Sequence, residues 1–309
     1  MERTRYARLG CIGACLCAAL FTSAVAAEGR ASADIALYVR QCAAALACNG
    51  SYLVARSGDV VYDGTVGKAS ADRRSRLAPG SAFDIGAIGE QFTVAAVLRL
   101  AERHQLALDD AVSKYPPGFP DPTVTIRQLL TRTSGIPDGA SERQLRGLVA
   151  SIAGQSYADF VREQFFEPLN MRHSSVRTAT SGADDDAQRA HGMRMTRNGS
   201  LKPMDDTTGC DSKGLHGTYS TTGDLLLWAR ALQAGKVVPK EAWRDVMGDA
   251  RVSQDGRWEG FASNLTVLPD QDTVIVILTN NDRPEEVRDA RNAFVGILRK
   301  EANLMVASE

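Results

Sequence analysis

Histidine is scarce in these 309 residues. The four histidines, His104, His173, His191 and His216, show no spacing that would hold a metal ion. No metal and no cofactor is expected. Charge of one sign is also missing, with 36 Lys and Arg against 37 Asp and Glu. No broad field therefore draws the chain to nucleic acid or to an acidic membrane surface. Repeat arrays, coiled-coil patterning and linkers that would separate independent domains are absent as well. What remains is 44% hydrophobic and 24% charged, the composition of an ordinary globular chain with a full core.

Long apolar runs are confined to the N-terminus. Arg3, Arg5 and Arg8 precede a mostly apolar stretch from Leu9 to Val25, closed by Ala24-Val25-Ala26. This is the form of a cleavable export signal over residues 1–26. The run is short for a membrane anchor, and the apolar chain before Cys15 or Cys17 is too short for a lipoprotein signal. The expectation is a periplasmic or secreted protein of one domain, residues 27–309, with no membrane span once the signal is gone. Export leaves Cys42, Cys48 and Cys210. Cys42 and Cys48 do not share a helix face, so their pairing in an oxidising compartment requires the helix to stop between them, and the spacing leaves pairing open. Cys210 reads as a small buried apolar residue.

Apolar residues at Ile35, Val39, Cys42 and Leu46 mark an amphipathic helix over Ser32–Ala47. Ser51–Arg56 and Val60–Val66 are β-rich runs joined by Ser57-Gly58-Asp59, a hairpin signal. Helical patterns follow: from Gly86 to about Arg103, then Leu145–Ala153 stopped by Gly154, and Tyr157–Phe166. Another runs over Leu225–Leu232, after a turn with an N-cap. Strands return at Gly260–Leu268 and Thr273–Thr279 around Pro269-Asp270-Gln271-Asp272, and Glu285–Asn303 closes the chain as a helix. The order predicts an α/β (α+β) fold. Its antiparallel sheet is built from both chain ends (about 32–85 and 250–303), flanked by helices around a shortened, mainly helical region (about 86–249).

The stretch around which this order turns is Phe83-Asp84-Ile85-Gly86-Ala87-Ile88-Gly89-Glu90-Gln91-Phe92-Thr93. Together with Leu129-Leu130-Thr131-Arg132-Thr133-Ser134-Gly135, Gly154-Gln155-Ser156-Tyr157, Glu167-Pro168-Leu169-Asn170-Met171, Gly217-Thr218-Tyr219-Ser220-Thr221 and Gly260-Phe261-Ala262-Ser263, it resembles the serine β-lactamase and penicillin-binding-protein-like hydrolases. The resemblance spans about Ile35 to Leu298 and implies the β-lactamase/transpeptidase-like fold. In that family a Ser-x-x-Lys pair opens the central helix, with Lys one turn on to take the Ser proton. A Tyr-x-Asn loop completes proton transfer, and a Lys-Thr-Gly or His-x-Gly strand binds the substrate carboxylate and helps form the oxyanion hole.

Each of these motifs is missing. Ala87 and Glu90 stand at the Ser and Lys positions. Only a few residues separate Ile136-Pro137-Asp138-Gly139 from Leu145, so the Tyr-x-Asn segment reads as deleted. Gln254-Asp255-Gly256 stands where the strand motif belongs. No Ser-x-x-Lys, Tyr-x-Asn, Lys-Thr-Gly, His-x-Gly or Gly-x-Ser-x-Gly occurs anywhere in the chain. The expectation is a catalytically inactive pseudo-hydrolase that binds a peptide-like, cell-wall-like or ester ligand, or a protein partner, in a remnant cleft. Cleft candidates are Ala87, Glu90, Trp258, Gly260 and Phe261. The competing reading is an esterase, amidase or β-lactamase with weak, substituted chemistry and Glu90 as base, against a bland one in which Glu90 is solvated or salt-bridged. Trp228 and Trp243 read as core or groove-lining. His216, the Asp184-Asp185-Asp186 run and Arg73, Arg74 and Arg76 read as structural or solvated.

Overall fold

The computed structural model describes residues 29–45, 48–72, 75–116, 121–177, 189–196, 200–204, 217–248 and 253–306. The export signal, Arg73, Arg74, the Asp184–Asp186 run, Cys210 and His216 lie outside the described residues.

Helix α1 (29–44) buries Ile35 and Val39 and ends three residues short of the expected Ala47. The chain turns there, and Cys42 and Cys48 are joined by a disulfide with Cα atoms 5.1 Å apart. Strands β1 (Gly50–Arg56) and β2 (Asp59–Val66) form the first hairpin. Short β3 (Phe83–Asp84) runs into a 3₁₀ turn, Gly86–Gly89, and helix α2 (Glu90–Glu102). Helices α3 (Ile126–Leu130), α4 (Asp138–Ala153) and α5 (Tyr157–Val161, passing into a π turn at Arg162–Phe166) build the middle. Short strands β4 (Ser175–Val176), β5 (Met193–Met195), β6 (Leu201–Pro203) and β7 (Thr218–Ser220) precede α6 (Thr222–Gln233) and α7 (Lys240–Met247). Strands β8 (Ser253–Trp258), β9 (Phe261–Leu268) and β10 (Thr273–Thr279) then lead to α8 (Pro284–Val306).

The main sheet is antiparallel in the order β2-β1-β10-β9-β8. It joins both chain ends, as the resemblance implies. Side chains alternate across it, because successive Cβ atoms of a strand point to opposite faces. Tyr52, Val54, Ile275 and Ile277 face α1 and α8, where Ile35, Val39, Phe294 and Leu298 cover them. Leu53, Ala55, Val274, Val276 and Leu278 face the helical region. The axis of that second layer is α2, which buries nearly every side chain from Gln91 to Leu100. Phe92 lies 4.3 Å from the Trp228 ring centroid, and both side chains are fully buried. A helix buried over nearly its whole length is central, and its inward polar residues Gln91 and Thr93 are both hydrogen-bonded.

Helix α4 departs from the expected Leu145 start. It begins at Asp138, directly after Pro137 in extended backbone, and its first two turns bury Ser141 and Glu142. Apolar periodicity misses these turns because their inward positions are polar. The helix ends as expected at Gly154, in left-handed backbone (φ +66°).

Candidate functional site

Asp84 sets the position of the turn that opens α2. Its carboxylate accepts from Gly86 N at 2.9 Å and from Gly217 N at 3.0 Å, tying β3 to the segment that enters β7. Complete burial pushes this carboxyl up to about 6, against the pull of those two hydrogen bonds and of Arg146 and Arg189. The turn then meets the edge strand β8 at backbone contact. Gly86 has φ +53°, and a Cβ there would sit 2.7 Å from Arg257 N. A Cβ on Gly256 would fall on the carbonyl oxygen of Ile85 and the Ser263 hydroxyl. Ser263 Oγ donates to Ile85 O at 2.9 Å. Two glycines thus permit a close approach that side chains would forbid.

That approach brings Gln254 to Ala87. Gln254 Nε2 donates to the Ala87 carbonyl at 2.6 Å. Its Oε1 accepts from Gln91 Nε2 at 2.8 Å, and Gln91 Oε1 accepts from Trp228 Nε1 at 2.8 Å. The indole, two amides and the backbone carbonyl form one continuous relay, from the buried core to the first turn of the central helix. Ala87 is half-buried beneath it and carries no nucleophilic atom. The Gln254 amide is neutral, so it cannot supply the field a cation would bring to a substrate carboxylate.

Glu90, one turn on, is paired with Arg132, and Arg132 also lies 3.5 Å from Asp138. Burial raises the Glu90 carboxyl, the neighbouring Glu142 raises it further, and Arg132 opposes both. Glu142 is itself buried. It accepts from Thr93 Oγ1 at 2.5 Å and from Arg146 Nε at 2.7 Å, while Tyr157 OH lies 2.6 Å from Thr93 Oγ1. Glu90, Arg132, Ser141 and Glu142 line a cavity of about 20 Å³. That is room for about one water and for no substrate. Arg132 takes left-handed backbone (φ +58°) just after α3, whose start is fixed by a capping box between Thr125 and Gln128.

Arg132 and Gln91 are the site residues that sequence reasoning missed. The signal for Arg132 was present, since its segment packs beside α2 and carries a cation opposite the acid at 90. Gln91 offered none, because nothing local distinguishes a buried amide from a surface one. Gln254 does meet Ala87, while Gly256 meets the Ile85 carbonyl just before it. Asp255 alternates to the other face of β8 and binds Asn264 Nδ2 at 2.7 Å. Trp258 shares the Gln254 and Gly256 face by strand alternation and is half-buried at the far end of β8. Gly260 and Phe261 are packing positions rather than cleft lining. Gly260 turns (φ +87°) against the backbone of Gly192 and Met193. Phe261 is 1% exposed, with its ring edge-on to Tyr219. Trp228 is core, while Trp243 lines a cavity of about 260 Å³ with Leu265, Lys240 and Gln91, so the relay borders it.

A family profile described as Beta-lactamase matches residues 38–299. Penicillin-binding protein 4* of Bacillus subtilis (strain 168) is 23% identical over 316 residues, covering 78% of this chain and 70% of its own. A penicillin-binding protein from Bacillus halodurans superimposes with a TM-score of 0.72 at 18% identity, covering 82% of this chain and 99% of that one. A class C beta-lactamase superimposes with a TM-score of 0.71 at 15% identity, covering 87% and 96%. At such identities the structural likeness shows the fold.

Proposed function

Because the chain belongs to the Beta-lactamase family, we propose that it is an exported member which has lost covalent catalysis and serves by binding. One observation carries this reading: Gln254 occupies the Ala87 carbonyl while Arg132 occupies Glu90. Ala87 itself offers no hydroxyl nucleophile at the head of α2, and Gln254 caps its carbonyl. Arg132 ties up the only acid on that turn. Covalent catalysis needs a nucleophile with an adjacent free base, and neither position supplies one.

The ligand class that suits the reading is peptide-like, cell-wall-like or ester, held against β8 and the first turn of α2; a protein partner on the same surface is the alternative. Export is supported by the charged-then-apolar N-terminus and by the Cys42–Cys48 bond, which suits an oxidising compartment. Among the described residues no helix is long and apolar enough to cross a membrane.

The test is incubation of the purified protein with a penicillin probe and a fluorophosphonate, read by intact mass, beside a panel of esters, amides and β-lactams. No adduct and no turnover above blank are expected. A stoichiometric adduct, or hydrolysis by the wild-type chain, overturns the reading. The raised Glu90 carboxyl favours one rival, a water-activating base. Turnover that disappears in Glu90→Gln would establish that rival, whose rate is expected to reach only about 10³–10⁴ over water.

A further inference from the structure

A cavity of about 680 Å³ lies between the end of β2, the start of β1, the β5–β6 hairpin and the chain just after β10. It shares no lining residue with the site at Ala87. One wall is apolar, with Leu77, Met193 and Met195. Lys68 and Arg76 make the other wall cationic, and among the described lining residues there is no carboxylate. Arg283 also reaches the cavity but is already paired with Glu285 and Glu286. Lys68 and Arg76 meet no carboxylate among the described residues.

Asn281 supplies the independent observation. Only 6% of it is exposed, and it lines the cavity. Its Nδ2 donates to Glu286 Oε2 at 2.9 Å. Its Oδ1 is buried and has no hydrogen-bond partner. With Glu286 ionised and paired with Arg283, turning the amide over would set its carbonyl against that carboxylate. A buried acceptor is thus held without a donor at the wall of a roomy cavity. Buried polar atoms are nearly always partnered, and an exception calls for a reason.

We propose that this cavity binds a small amphipathic carboxylate that carries a hydroxyl or amide N–H beside its charged head. The head lies on Lys68 and Arg76, the donor satisfies Asn281 Oδ1, and the apolar body packs on Leu77, Met193 and Met195. The volume falls within the usual range for small-molecule sites, about 300–1,000 Å³. The cavity needs no residue of the Ala87 site, so it stands whether or not the chain has lost catalysis.

The test titrates the whole purified chain with β-hydroxydecanoate, N-octanoylglycine, decanoate and neutral decanediol. Binding is followed by calorimetry and by the methionine methyl NMR signals, with Met195 assigned through Met195→Leu. Saturable binding of one or both donor-bearing carboxylates is expected, with the Met195 methyl shifting; which of the two binds tells hydroxyl from amide. Decanoate is expected to bind roughly fivefold more weakly, and the diol not at all. Lys68→Gln with Arg76→Gln is expected to weaken binding by about tenfold or more. Asn281→Leu is expected to abolish the preference over decanoate. If Asn281→Leu fails to fold, the two surface substitutions still decide the matter. The proposal is overturned if neither donor-bearing carboxylate binds by about 5 mM, if the diol binds as well as the acids, or if the Lys68/Arg76 pair of substitutions leaves affinity unchanged.

Discussion

A methyl group at position 87 removes one oxygen, yet restoring that oxygen is not expected to restore chemistry. A hydroxyl placed there by Ala87→Ser would find Glu90 held by Arg132 and a neutral amide at Gln254 on the carbonyl of its own residue. Ala87→Ser should therefore show no acylation by penicillin in intact-mass measurements, and rapid acylation would mean that the family's proton acceptor has been misplaced. Asp84 makes a different prediction. Its carboxyl is raised from 3.8 to about 6, so the folded state keeps a proton that the unfolded chain has released. The stability it contributes is fully present below about pH 4 and is lost as pH rises through about 6, a change of about 3 kcal/mol. Asp84→Asn has no proton to lose. Urea denaturation should show the stability gap between wild type and Asp84→Asn shrinking by up to about 3 kcal/mol from pH 4 to pH 7. A gap that does not move with pH would show that Asp84 titrates normally.

At the scale of elements, the site is a contact between an edge strand and a helix start, and glycine sets how closely they approach. Gly256 places β8 on the turn before α2 so closely that a methyl would strike both Ile85 O and Ser263 Oγ. Neither atom can yield, because one is backbone and the other is bonded to it. Gly256→Ala should lower stability by about 2 kcal/mol, within the cost of over-packing a well-filled contact. It should also separate Gln254 from the Ala87 carbonyl. Denaturation with urea checks the first effect, and the backbone amide shifts of residues 86–89 check the second. An unchanged midpoint would show that β8 moves freely away from α2. The polar first turns of α4 act on the other side of the site, where buried Glu142 links Thr93, Arg146 and Tyr157 to the acid at 90.

For the whole molecule, the sheet closes only when the two chain ends meet. Strand β1 pairs with β10 from Gly50↔Thr279 to Arg56↔Thr273, and α8 then covers one face. Removing the chain from Pro284 onward would strip Val287, Ala290, Phe294 and Leu298 from Tyr52, Ile275 and Ile277, and Glu301 from Arg56. At about 1.5–3 kcal/mol for each large apolar side chain, the loss rivals the usual 5–15 kcal/mol of a folded domain. The truncated chain should aggregate or melt without cooperativity in circular dichroism. A soluble, cooperatively unfolding product would contradict this account of the core.

The layout of the fold was legible because it rests on local regularities. Alternation in Thr273–Thr279, the Ser57-Gly58-Asp59 turn and the apolar run Val94–Leu98 of α2 each carry their own period or turn chemistry, and none needs a distant partner to be read. Much of the site was not legible. Arg132, Gln91 and Gln254 sit far from their partners in the chain, and their bonds to Glu90, Trp228 and Ala87 exist only once α3, α6 and β8 are brought to α2. The same holds for Phe261 and Gly260, which composition could not separate from cleft residues until their neighbours were in place. By itself the sequence determined the order of the main helices and of the two hairpins at the chain ends, and the absence of a Ser-Lys pair, since these are properties of neighbouring residues; the short strands, β8 and α7 emerged only in the structure. Only the tertiary structure decided what fills the vacated positions. A side chain's partner across 40 or 160 residues is set by packing geometry, and hydrogen bonds and ion pairs depend on distances that no local pattern encodes.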